Sequence, residues 1–129
     1  MGNLVYFDPL KEPKIVGVDL ELMACLDRAR HRAGIPFIVT SGKRSAEHNL
    51  EVGGVPDSSH VTGNAVDLRC EDSKTCFKIV EALLHEGLQR IVIGLRFDKS
   101  SPHGIAFHNV HVDNDFSKPY PIISYKFYA

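Results

Sequence analysis

Two short segments of this 129-residue chain hold residue types that can do chemistry. In Ser58-Ser59-His60-Val61-Thr62-Gly63-Asn64-Ala65-Val66-Asp67-Leu68, a histidine stands just before a glycine-containing turn and an aspartate stands inside the run that follows. In Phe107-His108-Asn109-Val110-His111-Val112-Asp113, strand alternation puts Asn109, His111 and Asp113 on one face and turns Val110 and Val112 to the other. If the two segments meet, His60, Asp67 and His111 offer two imidazoles and one carboxylate. Three nitrogen or oxygen ligands with a fourth position left to water is the pattern of catalytic zinc, whereas structural zinc closes all four positions, usually with cysteine. Spacing alone leaves plainer readings open: a turn histidine bonded to backbone, a strand-end carboxylate, and a half-buried strand histidine.

The elements that must position these residues follow from periodicity. From Asp19, Leu22, Cys25, Leu26 and Ala29 form a helical stripe that Gly34 and Pro36 stop. Ile35 to Thr40 reads as a short strand running into a turn, which leaves Arg44 in a loop, and Ser45 can cap a short helix through about Leu50. Val52-Gly53-Gly54-Val55-Pro56-Asp57 is turn chemistry. Asn64 to Cys70 alternates as a strand, with Ala65, Asp67 and Arg69 opposite Val66, Leu68 and Cys70. Asp72 or Ser73 can cap a second long helix with the stripe Cys76, Ile79, Val80, Leu83, Leu84, ended by Gly87. Arg90 to Leu95, Ala106 to Asp113 and Ile122 to Tyr128 are three further strands, and the short connection between the last two favours antiparallel pairing there.

Composition narrows the class. With 43% hydrophobic residues, the chain suits one domain over residues 1–129 with a single core. Lys plus Arg number 15 against 16 acidic residues, so there is no field to draw nucleic acid or anionic membrane. No apolar run approaches a bilayer span, and Met1 to Leu10 lacks the basic-then-apolar order of a leader, which points to a protein cytoplasmic as synthesised. Cys25, Cys70 and Cys76 are an odd number without C-x-x-C spacing and read as reduced packing residues. Of the remaining histidines, His31, His48 and His85 read as structural, while His103 can shape a cleft rim.

Thr40-Ser41-Gly42-Lys43-Arg44-Ser45, then Asn49 and Val52-Gly53-Gly54-Val55-Pro56, then Ser59-His60-x-x-Gly63-x-Ala65-Val66-Asp67-Leu68, and last Val110-His111-Val112-Asp113, resemble the successive motifs of the zinc D-Ala-D-Ala carboxypeptidase family. That family includes vancomycin-resistance D,D-dipeptidases and phage L-alanyl-D-glutamate endolysins, and shares its fold with the Hedgehog signalling domain. The resemblance implies zinc held by His60, Asp67 and His111, with Arg44 holding substrate or a developing oxyanion and Ser59 bonding a substrate carboxylate. The best-known members carry Glu or Asp as general base three residues before the last ligand; here that position is His108. A neutral imidazole can serve as base, but strict alternation would turn His108 away from His111 unless the strand is bulged. Asp113 is the other candidate, either as base or as a carboxylate that orients a ligand.

The expectation is therefore an α+β domain with a mainly antiparallel sheet, helices on one face and a zinc site on the other. It would be a monomer that hydrolyses a D-amino-acid-containing bond of a peptidoglycan peptide, as a carboxypeptidase or an endopeptidase, in the cytoplasm or released to the wall as a phage lysin. The rival expectation is a non-catalytic zinc-stabilised binding module, for which His108 in place of an acid is the best support.

Overall fold

The computed structural model describes residues 4–128. Met1, Gly2 and Asn3, where the segment weighed above as a leader begins, lie outside the described residues, as does Ala129. The elements run α1 (Leu20–Ala33), β1 (Val39–Ser41), α2 (Ala46–Glu51), α3 (Ser59–Thr62), β2 (Ala65–Arg69), α4 (Ser73–His85), β3 (Arg90–Phe97), β4 (Ile105–Asp113) and β5 (Ile122–Tyr128). Each α-helix starts where a short polar side chain accepts an otherwise orphaned N–H: Asp19 from Leu22, Ser45 from His48, Ser58 from His60, and Asp72 from Thr75. Helix α1 stops at Gly34, whose φ of 68° suits a residue without a Cβ.

The sheet order is β1-β2-β4-β3-β5, and every pairing is antiparallel except β3 with β5. The fold is thus α+β with a mainly antiparallel sheet. Antiparallel pairing of the last two strands does not occur: β4 already has β2 on one edge and β3 on the other, so β5 crosses to the open edge of β3 and lies parallel to it. The first strand is also shorter than its β-branched run. Pro36 has no N–H to give a ladder and Ile38 is exposed, so pairing begins only at Val39.

Helices α1 and α4 pack together on one face of the sheet, where Leu22, Leu26, Ile79 and Leu83 meet Val66, Leu68, Ile91, Val110 and Val112 in one buried core. Truncating such a side chain, for example Leu68→Ala, costs about 2–5 kcal/mol. Since successive strand side chains alternate, burying Val66, Leu68, Val110 and Val112 obliges Asp67 and His111 to project from the opposite face. No helix among the described residues is long and apolar enough to cross a membrane.

Candidate metal centre

Asp67 on β2 and His111 on β4 are direct cross-strand partners, so their side chains rise side by side from the open face. His60 reaches them from the single turn of α3. Ser58 caps this turn and Gly63 ends it at φ 83°, where a Cβ would lie 2.5 Å from the Gly17 carbonyl oxygen. Only glycine lets the chain turn there and still pack against the loop before α1. The facing donor atoms of His60, Asp67 and His111 all lie within 4.8 Å of one another.

Hydrogen bonds on the outer sides of the rings decide which atoms face inward. His60 Nδ1 lies 2.8 Å from the Gly42 carbonyl oxygen, which can only accept, so Nδ1 carries the proton and Nε2 presents a lone pair. His111 Nε2 lies 2.8 Å from Asp113 Oδ2, so it donates there and leaves Nδ1 as the inward atom. His60 Nε2 and His111 Nδ1 then stand 3.2 Å and 3.0 Å from Asp67 Oδ1. Two lone pairs aimed at one carboxylate oxygen repel unless positive charge sits among them. In the absence of a cation, a proton on an imidazole supplies it: burial disfavours a charged His111, yet its bonds to Asp113 and Asp67 outweigh that and push it up to about 9. Burial likewise opposes the charge on Asp67, and both imidazoles more than reverse it, holding the carboxyl far below its usual range. A divalent cation with nitrogen and oxygen ligands fits the same donor set, with one side open to the cleft.

Around these three, the other candidates take distinct places. Asp113 is 2% exposed, and besides His111 it accepts from Arg90 Nε at 2.6 Å and from the Asp115 amide at 3.1 Å. It lies behind His111, and its pairing with Arg90 and His111 keeps it ionised against the pull of burial. Arg44 points to the centre, its Nη2 at 3.5 Å from Asp67 Oδ2, but it is also tied to Ser41 Oγ and to Asn49 Oδ1. Ser59 is buried and turned from the cleft: it donates to Asp115 Oδ2 at 2.8 Å and accepts from Lys118 Nζ at 3.1 Å, while Ser58 lines the cleft instead.

His108 faces the open side because β4 is bulged. Gly94 pairs with Asn109 and Leu95 with Phe107, so β4 has an extra residue at His108. Phe107 and Val110 both pack on the core, and the two residues between them both face away from it. The His108 ring packs at 4.6 Å against that of Tyr128 and lines a cleft of about 490 Å³ together with Asp67. Burial and the positive charge of Arg96 lower its basicity, with Asp67 pulling the other way. His103 lines a neighbouring cleft with Asp72 and Asp98, away from the centre.

Several residues at the site were not singled out from sequence. Arg90 holds Asp113. Asn49, quoted from sequence as a motif residue but given no role there, is 1% exposed, donates to the Val55 carbonyl at 2.7 Å and accepts from Arg44, so it pins the glycine turn beside the site. Asp115 and Lys118 clamp Ser59 and with it the start of α3. Tyr128 and Lys126 come from β5. Their alternation was visible, but the face they join depends on the unforeseen pairing with β3. Gly94 makes room for this corner, since a Cβ there would lie 2.0 Å from Asn109 Oδ1 and 2.8 Å from the Tyr128 ring. A second cleft, of about 360 Å³, lies on the Arg44 side, bounded by Val52 to Val55, Ser58, Val92 and Lys126. Asp67 and Tyr128 line both clefts, so the centre stands where two halves of one groove meet.

The sequence model of the family described as peptidase M15 matches residues 9–112, a span that holds every one of the three converging ligands. The chain belongs to the peptidase M15 family. The fold of this M15 chain is similar to the solved structure of the Serratia marcescens L-Ala D-Glu endopeptidase ChiX, with a TM-score of 0.59 at 19% identity over 88% of this chain and 92% of that one. A search of curated proteins finds no match.

Proposed function

We propose that this M15 chain is a zinc peptidase that cleaves a D-amino-acid-containing bond within peptidoglycan peptides, with His60 Nε2, Asp67 Oδ1 and His111 Nδ1 as the metal ligands. The observation that carries the reading is the inward set of two imidazole lone pairs and a carboxylate oxygen, with both tautomers held from behind by Gly42 and Asp113. Zinc bound there supplies a Lewis acid that polarises a carbonyl and brings the acidity of water near neutrality.

The chain's own residues do the rest. His108, kept neutral by burial and Arg96, accepts the proton of the attacking water as the C–O bond forms, then returns it to the amine as the C–N bond breaks. Arg44, fixed by Ser41, Asn49 and Asp67, offers its guanidinium edge to the developing oxyanion. Asp113 acts through His111 as a positioning residue, and Ser59 acts as a clamp on α3. A groove that continues past the centre on both sides accommodates a chain cut in its interior, which favours an endopeptidase over release of a terminal D-alanine.

The test is metal content together with cleavage. Protein purified without chelator should carry close to one zinc per chain and cut a peptidoglycan stem peptide. Stoichiometric zinc in folded protein that cuts none of a broad panel of wall peptides would overturn the peptidase reading and favour a zinc-stabilised binding module.

A further inference from the structure

The sheet is wider than the layer of helices laid on it. Helix α1 leads through a short loop into β1 at one edge, and α4 packs over β4, so among the described residues no helix lies over β5 at the other edge. Strand β5 pairs in parallel with β3, with Ile91 beside Ile123, Ile93 beside Tyr125 and Leu95 beside Phe127, and such neighbours point to the same face. Ile91 is fully buried in the core, so Ile123, Tyr125 and Phe127 stand on the helix face, where all three are exposed. Phe97, at the end of β3, stacks on Phe127 with ring centres 4.3 Å apart and planes 8° from parallel, which gives the strip a flat aromatic end.

Helix α4 carries a surface that fits this strip. Its side toward α1 is fixed by the pairs Arg28–Glu86 and Arg32–Glu81, while Phe77 and Leu84, two turns apart, form an exposed apolar ridge on a flank turned from α1. The strip on β5 lacks an apolar helix, and α4 displays one. Taking about 200 Å² for a whole aromatic residue, Phe77, Phe97, Tyr125 and Phe127, at 72%, 77%, 69% and 38% exposure, leave roughly 500 Å² in water. A homodimer of standard size buries about 800 Å² per partner, about two thirds of it apolar, so this patch supplies nearly all the apolar area that one partner must bring. A net charge of -1 leaves two copies with little mutual repulsion, and Lys126, the one charged residue of β5, lines the cleft on the opposite face.

We propose that this face is an interface between two copies of the chain, related by a two-fold axis, in which α4 of each copy lies over β5 of the other. The axis makes the helix-on-strand contact occur twice, so each copy both receives and supplies the missing helix. A dimer then replaces the single chain expected from sequence. The metal centre opens on the other face of the sheet, so the interface stands whether or not the chain is a peptidase.

Sedimentation equilibrium on the full chain tests this, with Tyr125→Glu and Phe77→Glu as variants on the two halves of the contact and Tyr125→Ser and Phe77→Ser as milder versions of each. Both side chains are exposed in a single copy, so these changes leave the monomer folded, which circular dichroism and the Tm verify. The wild type should be a dimer with a Kd of about 1 μM or tighter, as interfaces of this size are. Each variant should weaken it by at least about thirtyfold, the effect of losing a central aromatic anchor. A wild type that is monomeric at about 100 μM would overturn the proposal and leave the face to a different partner. A dimer that no variant weakens would overturn it as well. Weakening by changes at only one of the two positions would overturn the helix-on-strand contact, which needs both halves.

Discussion

Replacing Asp113 by asparagine keeps the side-chain shape and removes its charge. In the native site Oδ1 accepts from Arg90 and from the Asp115 amide, and Oδ2 accepts from His111 Nε2. The amide has one oxygen for these two places. It should go to Arg90 and the Asp115 amide, which leaves the NH2 group facing His111 Nε2. An N–H facing an N–H is repulsive, so the imidazole moves its proton to Nδ1, the atom that points at Asp67, and becomes the wrong tautomer for a metal. Loss of such an outer partner typically costs 10–100-fold in metal affinity, about 1.4–2.8 kcal/mol. Breaking a buried pair costs up to about 5 kcal/mol. Arg90 keeps a neutral acceptor and its side chain is 15% exposed, so about 2 kcal/mol is expected, a fall of about 6–10 °C in Tm for a domain of this size. Competition with a chromogenic chelator measures the first effect and thermal melting the second. Saturating zinc should restore most of kcat. Unchanged zinc affinity with kcat down by more than about a thousandfold would refute the positioning role and make Asp113 the base.

His108→Ala should lower kcat by about 10²- to 10⁴-fold with zinc affinity unchanged, and a loss of affinity of similar size would remove His108 from the base role. Chelation should lower the Tm, and adding zinc at a hundredfold over its Kd should restore about 2.7 kcal/mol; His60→Ala should abolish this zinc-dependent shift in differential scanning calorimetry. The hydroxyl of Ser117 first, then Ser59, the Ser117 amide and Lys118, hold the Asp115 carboxyl at about 2 although burial opposes its charge. A depressed folded value means that this stabilisation is complete above the unfolded value, roughly 3.9, and is lost as the pH falls through about 2. The Tm difference between wild type and Asp115→Asn should shrink over that window, and a difference constant with pH would contradict the clamp.

The sequence carries the fold where local rules decide it. The helical pattern from Asp19, the cap at Ser45 and the choice of Asp72 or Ser73 as the cap of α4, which the structure gives to Asp72, were legible, and the alternation in β2 and β4 that opposes Asp67 and His111 to the core is present in the register. What failed to show was set by contacts between distant segments. His108 breaks alternation because β4 has an extra residue against β3, and no single-strand pattern displays a bulge whose other half lies elsewhere in the chain. The place of β5 depended on which edge of the sheet was still open. Ser59 looks like a free hydroxyl in a polar turn until Asp115 and Lys118, more than fifty residues on, fold over it.

Anomalous scattering at the zinc edge from crystals of the zinc-loaded protein bears most directly on the metal centre. The expected result is one strong peak about 2.0–2.2 Å from each of His60 Nε2, Asp67 Oδ1 and His111 Nδ1. A stoichiometric zinc peak elsewhere, or bound through the outer nitrogens His60 Nδ1 or His111 Nε2, would contradict it.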